Sequence, residues 1–172
     1  MAIKQAIILL VIAAILGLGA NLFSPNKIEY IGAYRNLSGS DGPIIPPDAD
    51  ENDPPFIDIN TAHFEHSTKR TIFIDARERE EFECGTIPGS INIPFDYLPD
   101  GDLKLYFDSS LGHVAFDQPI VVFCSGEECD QSLHLARNLA EYGYSDVTIF
   151  FGGSREWERF SLEIERRKNC GG

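Results

Sequence analysis

The chain has 172 residues, which favours one domain with appendages. Its formal charge of -13, from 27 acidic against 14 basic side chains, comes without a cluster of Lys or Arg able to track a phosphate backbone, which argues against nucleic acid as a partner. Four cysteines in a domain this large do not make a disulfide scaffold.

Lys4 and the free amine precede an uncharged run from Ala6 to Phe23, rich in Ile, Leu and Ala. At about 1.5 Å of rise per residue this run nearly matches a hydrocarbon core of roughly 30 Å, whereas the apolar part of a secretory signal usually has only about 7 to 15 residues. Length favours a transmembrane signal anchor over residues 1–23. A cleaved signal, with Gly17 and Gly19 as its small residues, and a buried soluble helix remain the alternatives. The positive charge ahead of the run places the body outside the cytoplasm, in the periplasm or its equivalent.

Residues 24–55 carry the pairs Pro46-Pro47 and Pro54-Pro55 and the acids Asp48, Asp50, Glu51 and Asp53, the composition of a linker. The folded body is expected over 56–168, with 169–172 as a frayed tail. Within the body, Thr71 to Ile74, Ser90 to Ile93, Ile120 to Phe123 and Val147 to Phe150 read as strands buried on both faces. Weaker helical patterns cover Thr61 to His66, Glu78 to Glu83 and Gly153 to Phe160, and Tyr97 to Gly112 mixes helix and turn signals. Ser132 to Tyr142 places Leu135, Ala136, Leu139 and Ala140 at helical spacing, with Gly143 where a left-handed cap fits. The alternation predicts an open parallel α/β sheet of about five strands flanked by helices.

In such a sheet ligands collect beyond the carboxyl ends of strands. Ile120 to Phe123 runs directly into Cys124-Ser125-Gly126-Glu127-Glu128-Cys129-Asp130-Gln131 before the next helix. Peptide N–H groups of a loop curling into a helix amino terminus bind anions, and the same field favours a thiolate. Cys124 is therefore the candidate nucleophile. Cys129, five residues on, is a candidate resolving thiol, because a nearby thiol converts a persulfide or sulfenic acid into a disulfide. A structural bridge or two unpaired thiols are the other readings, and geometry decides among them.

These residues resemble the rhodanese-like domains. Ile74-Asp75-Ala76-Arg77-Glu78 is similar to that family's Asp-x-Arg segment, and Glu80 and Phe82 match its acidic-aromatic pair. Gly85-Thr86-Ile87-Pro88-Gly89-Ser90 resembles its Gly-His-Ile-Pro-Gly-Ala motif, and the strand-Cys-loop-helix element is followed by Gly143-Tyr144, Gly152-Gly153 and Trp157. The likeness runs from about Phe56 to Phe160. It implies a sulfurtransferase fold, a persulfide on Cys124 and loop amides holding that sulfur, with no metal or organic cofactor. With Ser132 aligned to the serine that opens the family's following helix, the loop is longer than the usual cradle. Gln131 stands where many members place Arg, and Glu127 and Glu128 oppose an anionic donor. The expectation shifts to a neutral or protein-borne sulfur donor rather than thiosulfate, with a thiol as acceptor.

Other residues have plainer readings. Asp75 and Arg77 are read as an orienting ion pair at a strand end. His63 and His66 are read as surface side chains, since a zinc site needs three or four converging ligands. Trp157 is a packing anchor, Cys84 a buried inert thiol, and Cys170-Gly171-Gly172 a frayed tail. Three functions remain in play: sulfur transfer through Cys124, thiol-disulfide exchange through Cys124 and Cys129, and a non-catalytic binding module on the same fold.

Overall fold

The computed structural model describes Gln5, Ala6, Gly19 and residues 42–170. The apolar run expected to be an anchor lies outside the described residues except for Ala6 and Gly19. No helix among the described residues is long and apolar enough to cross a membrane.

From residue 42 the chain packs as part of the body, which corrects the expectation of a free linker up to residue 55. Ile44 and Pro54 are buried, and the carboxylate of Asp53 is held bidentate by Arg137 at 2.6 and 2.8 Å. That guanidinium holds the Asp53 carboxyl below the usual carboxylate range. Composition marked these residues as unpacked because it carries no information about a cation 84 positions away.

The elements follow in chain order as α1 (Ile59–Thr68), β1 (Ile72–Asp75), α2 (Arg79–Cys84), β2 (Ile91–Asn92), a 3-10 turn (Phe95–Tyr97), α3 (Leu103–Leu111), β3 (Ile120–Phe123), α4 (Gln131–Tyr142), β4 (Val147–Phe150) and α5 (Gly153–Arg159). Asp58 starts α1 by accepting the Thr61 N–H at 2.7 Å, and this bond favours its ionised form. Gly143 ends α4 at φ 122°, and its N–H reaches the carbonyls of Leu139 and Ala140. The buried face of α4 carries Leu133, Leu135, Ala136 and Leu139.

The sheet is parallel, with order β2-β1-β3-β4. Among the described residues it has four strands rather than about five; what meets the outer edge of β4 there is a single bridge, Phe56 to Ile149. A chain leaving Pro55-Phe56 turns at once into α1, so it has no length left to extend the pairing. All four residues of β3 are buried, as expected for a central strand covered by helices on both faces. On one face Phe73, Val121, Phe123 and Phe150 meet Ile59, Ala62, Ile87 and Trp157. The Trp157 indole N–H donates to the Glu163 carbonyl at 2.9 Å, which satisfies its one polar atom.

His66 departs from the surface reading. Its ring packs edge-on against Phe73 and Trp157, with centroids 5.4 and 5.2 Å away, and Nε2 lies 2.8 Å from the Pro88 carbonyl. Desolvation is the leading cause of its lowered pKa. A folded-state pKa below the unfolded value means the unfolded chain binds the proton more readily, so this contribution to stability is present above about pH 6.5 and is lost as pH falls. Urea titrations across that range should show stability declining on the acid side, with the slope reduced in His66→Gln; identical slopes would refute the assignment.

The carboxyl-terminal segment is not frayed up to Cys170. Thr86 and Glu165 exchange backbone hydrogen bonds at 3.0 and 2.9 Å, Arg167 lies over the Phe82 ring at 4.4 Å, and Cys170 is disulfide-bonded to Cys84. Cys84 is thus a bridged, half-buried residue rather than an inert buried thiol. Linking residues 86 positions apart removes much denatured-state freedom. Cys170→Ser should cost roughly 2 to 4 kcal/mol in non-reducing denaturation, and an unmoved midpoint would count against the tether.

Candidate active site

The position of the site follows from topology. From β1 the chain crosses to β2 on one side, and from β3 it crosses to β4 on the other. The switch therefore lies at the carboxyl ends of β1 and β3, where a parallel sheet opens a crevice. The two ends are joined there: the Ala76 N–H donates to the Phe123 carbonyl at 2.8 Å, so Asp75, Arg77 and Cys124 emerge side by side.

At the end of β1, Asp75 is fully buried and Arg77 nearly so. Arg77 donates from Nε and Nη2 to the two Asp75 oxygens at 2.9 and 2.6 Å, and Nη2 also reaches the Gly85 carbonyl at 2.7 Å. The Thr86 hydroxyl donates to Asp75 Oδ2 at 2.8 Å. This network ties the strand end to the Gly85-Thr86 turn and so shapes one wall of the crevice.

At the end of β3, Cys124 is fully buried and lies against the entrance of α4, with the Ser132 hydroxyl donating to its sulfur at 3.6 Å. The sulfur is thus both enclosed and placed at a helix amino terminus. Cys124 and Cys129 are joined by a disulfide, their Cα atoms 6.3 Å apart, within the span of roughly 4.4 to 6.8 Å that a bridge requires. The loop is curled rather than extended, because the Cys129 N–H donates to the Gly126 carbonyl at 2.9 Å. Cys129 remains partly exposed.

The acids of the loop face outward. Glu127, Glu128 and Asp130 are exposed, Asp130 lies 3.4 Å from His134, and Gln131 donates to Asp96. Opposite the loop, α5 supplies a clamp that the sequence reading did not identify: the Ser154 N–H donates to the Cys124 carbonyl at 2.9 Å and the Arg155 N–H to the Ser125 carbonyl at 3.1 Å. Both carbonyls are drawn towards α5. Gly153 makes this approach possible at φ 61°, and a side chain there would come within 2.8 Å of the Gly126 nitrogen. Gly152-Gly153 was the available signal, a pair that permits a tight turn and a close backbone approach.

Arg155 also brings a cation to the loop from another element, 3.5 Å from Glu128. It lines a cavity of about 300 Å³ with Arg77, Ser125, Ser154, Glu80 and Glu158. Beside the loop, Glu156 has its pKa raised, first by burial and then by the charge of Glu127. The crevice therefore holds both signs of charge, with acids from α2 and α5 lining it and those of the Cys124 loop beside it.

A cysteine thus stands at the switch of a parallel α/β sheet, backed by a helix entrance and joined to a second cysteine of its loop. The rhodanese-like domain profile matches residues 60–160, and the chain belongs to that family. It is 36% identical over 96 residues to the human thiosulfate:glutathione sulfurtransferase, covering 51% of this chain and 79% of that protein. It is 30% identical over 92 residues to a Mycobacterium tuberculosis HTH-type transcriptional regulator, spanning 54% of this chain but only 36% of that longer protein. Among solved structures, the BH2092 protein of Bacillus halodurans matches with a TM-score of 0.55 at 20% identity, covering 67% of this chain and 82% of that one.

Proposed function

We propose that this chain is a sulfurtransferase in which the reduced Cys124 thiolate attacks a sulfane sulfur, carries it as a persulfide and passes it to a thiol acceptor. The observation carrying this reading is the placement of Cys124 at the β3 end, beside the α4 entrance and the Ser132 hydroxyl. The human relative, named for thiosulfate and glutathione, supports the same reaction class. Glu127 and Glu128 stand at the loop, and Arg155 is already engaged with Glu128. A neutral or protein-borne persulfide is accordingly favoured over thiosulfate as donor. The test is to reduce the protein, remove the reductant, add each donor in turn and look for one extra sulfur atom on Cys124 by peptide mass. No gain with thiosulfate, polysulfide or persulfide would sink the reading.

The Cys124–Cys129 bridge favours a second reading, thiol-disulfide exchange, in which electrons rather than sulfur are passed on. Cys129→Ser separates them, since sulfur loading on Cys124 survives that change and exchange activity does not. We further propose that residues 1–23 anchor the chain with its body outside the cytoplasm. The uncharged run supports this, as do two disulfides, which persist in oxidising compartments. Carbonate-resistant membrane association, with the body open to protease added from outside the cytoplasm, is the expected behaviour.

A further inference from the structure

In the bridged state an acceptor has no path to Cys124, whose exposure is zero. Its partner Cys129 is a partly exposed residue bonded directly to Cys124. Any outer sulfur leaving Cys124 does so beside this second thiol, on a loop whose Cys129-to-Gly126 turn already brings the two together.

We propose that Cys129 discharges the sulfane sulfur held on Cys124 as sulfide, which makes the protein a sulfide-releasing persulfide reductase that draws its electrons from a dithiol. This rests on the sulfurtransferase reading and adds the fate of the sulfur. The Cys124 thiolate first attacks the outer sulfur of a persulfide donor and expels the donor's thiolate. The Cys129 thiolate, its proton given to solvent, then attacks Cys124 Sγ. The bond from Cys124 Sγ to the outer sulfur breaks, and the pair of electrons in it departs with that sulfur as HS⁻. The bond that forms is the Cys124–Cys129 disulfide seen here.

The cycle closes when an external dithiol attacks the more accessible Cys129 Sγ and frees the Cys124 thiolate. The dithiol's second thiol then resolves the mixed disulfide on Cys129. Overall, one persulfide and one dithiol become one thiol, one sulfide and one disulfide. Cys129 sits on the same curled loop as Cys124, so it meets the persulfide ahead of an external acceptor.

The experiment uses the full chain in detergent, reduced, freed of reductant and kept anaerobic, with an equimolar amount of glutathione persulfide and no other thiol. Sulfide and intact protein mass are read together. The wild-type chain should release stoichiometric sulfide and finish with Cys124 and Cys129 bridged. Cys129→Ser and Cys129→Ala should each retain one extra sulfur atom on Cys124 and release sulfide at least about tenfold more slowly. A wild-type chain that holds a lasting persulfide with Cys129 still free would overturn the proposal while leaving sulfur transfer standing. Sulfur loaded onto Cys129 in Cys124→Ser as fast as it loads the wild-type chain would overturn the order of the two thiols. No loading of any form would bring down this proposal and the sulfurtransferase reading together.

Discussion

Cys124→Ser should lower sulfur transfer from a persulfide donor to a thiol acceptor by at least about 1,000-fold, the scale on which loss of a covalent nucleophile registers. A serine hydroxyl stays protonated at neutral pH and attacks divalent sulfur poorly, whereas a thiolate beside a helix entrance is ionised and polarisable. The replacement is nearly isosteric and Ser132 remains available as a hydrogen-bonding neighbour, so the fold should survive. The measurement is thiol-dependent turnover with a defined persulfide, accompanied by a circular dichroism melt to confirm folding. A folded variant within tenfold of wild type would show that Cys124 is not the nucleophile.

The largest expected loss of stability comes from Asp75→Ala. The substitution leaves the Arg77 guanidinium nearly buried and stripped of two hydrogen bonds, and it removes the acceptor for the Thr86 hydroxyl. Breaking a buried pair from one side costs roughly 3 to 5 kcal/mol, because the surviving charge remains desolvated. For a body of this size that corresponds to a fall in Tm of about 10 to 15 °C. Removing both charges in Asp75→Ala/Arg77→Met should be clearly less damaging than the sum of the single changes, since no uncompensated charge remains. Additive losses in the double mutant would mean that the pair does not act as a unit.

Much of the fold could be read without coordinates. Ile120 to Phe123 and Val147 to Phe150 are strands over the residues expected, and α4 begins one residue before the predicted start and ends where Gly143 marks it. These elements are legible because their signals are local: a short wholly apolar run between turns, and apolar residues at helical spacing closed by a glycine. The motifs around Asp75, Gly85 and Cys124 likewise pointed to the family and to the loop.

The errors share a cause. Cys84 was read as an inert thiol and Cys170 as part of a frayed tail, the acids before residue 55 as linker, and His66 as surface, and each depends on a partner distant in sequence. Arg155 was missed for the same reason. It follows a glycine pair with no marking of its own, and becomes part of the crevice only because α5 docks on the Cys124 loop.

The amino-acid sequence by itself determined the parallel α/β architecture, the family and the cysteine that leads the loop, since periodicity and short motifs are properties of neighbouring residues. Only the tertiary structure decided that Cys124 is sealed from solvent and bonded to Cys129, that α5 clamps the loop, and that a disulfide ties Cys170 to α2. Burial and covalent pairing depend on distances between residues far apart along the chain, and packing of the whole body sets those distances.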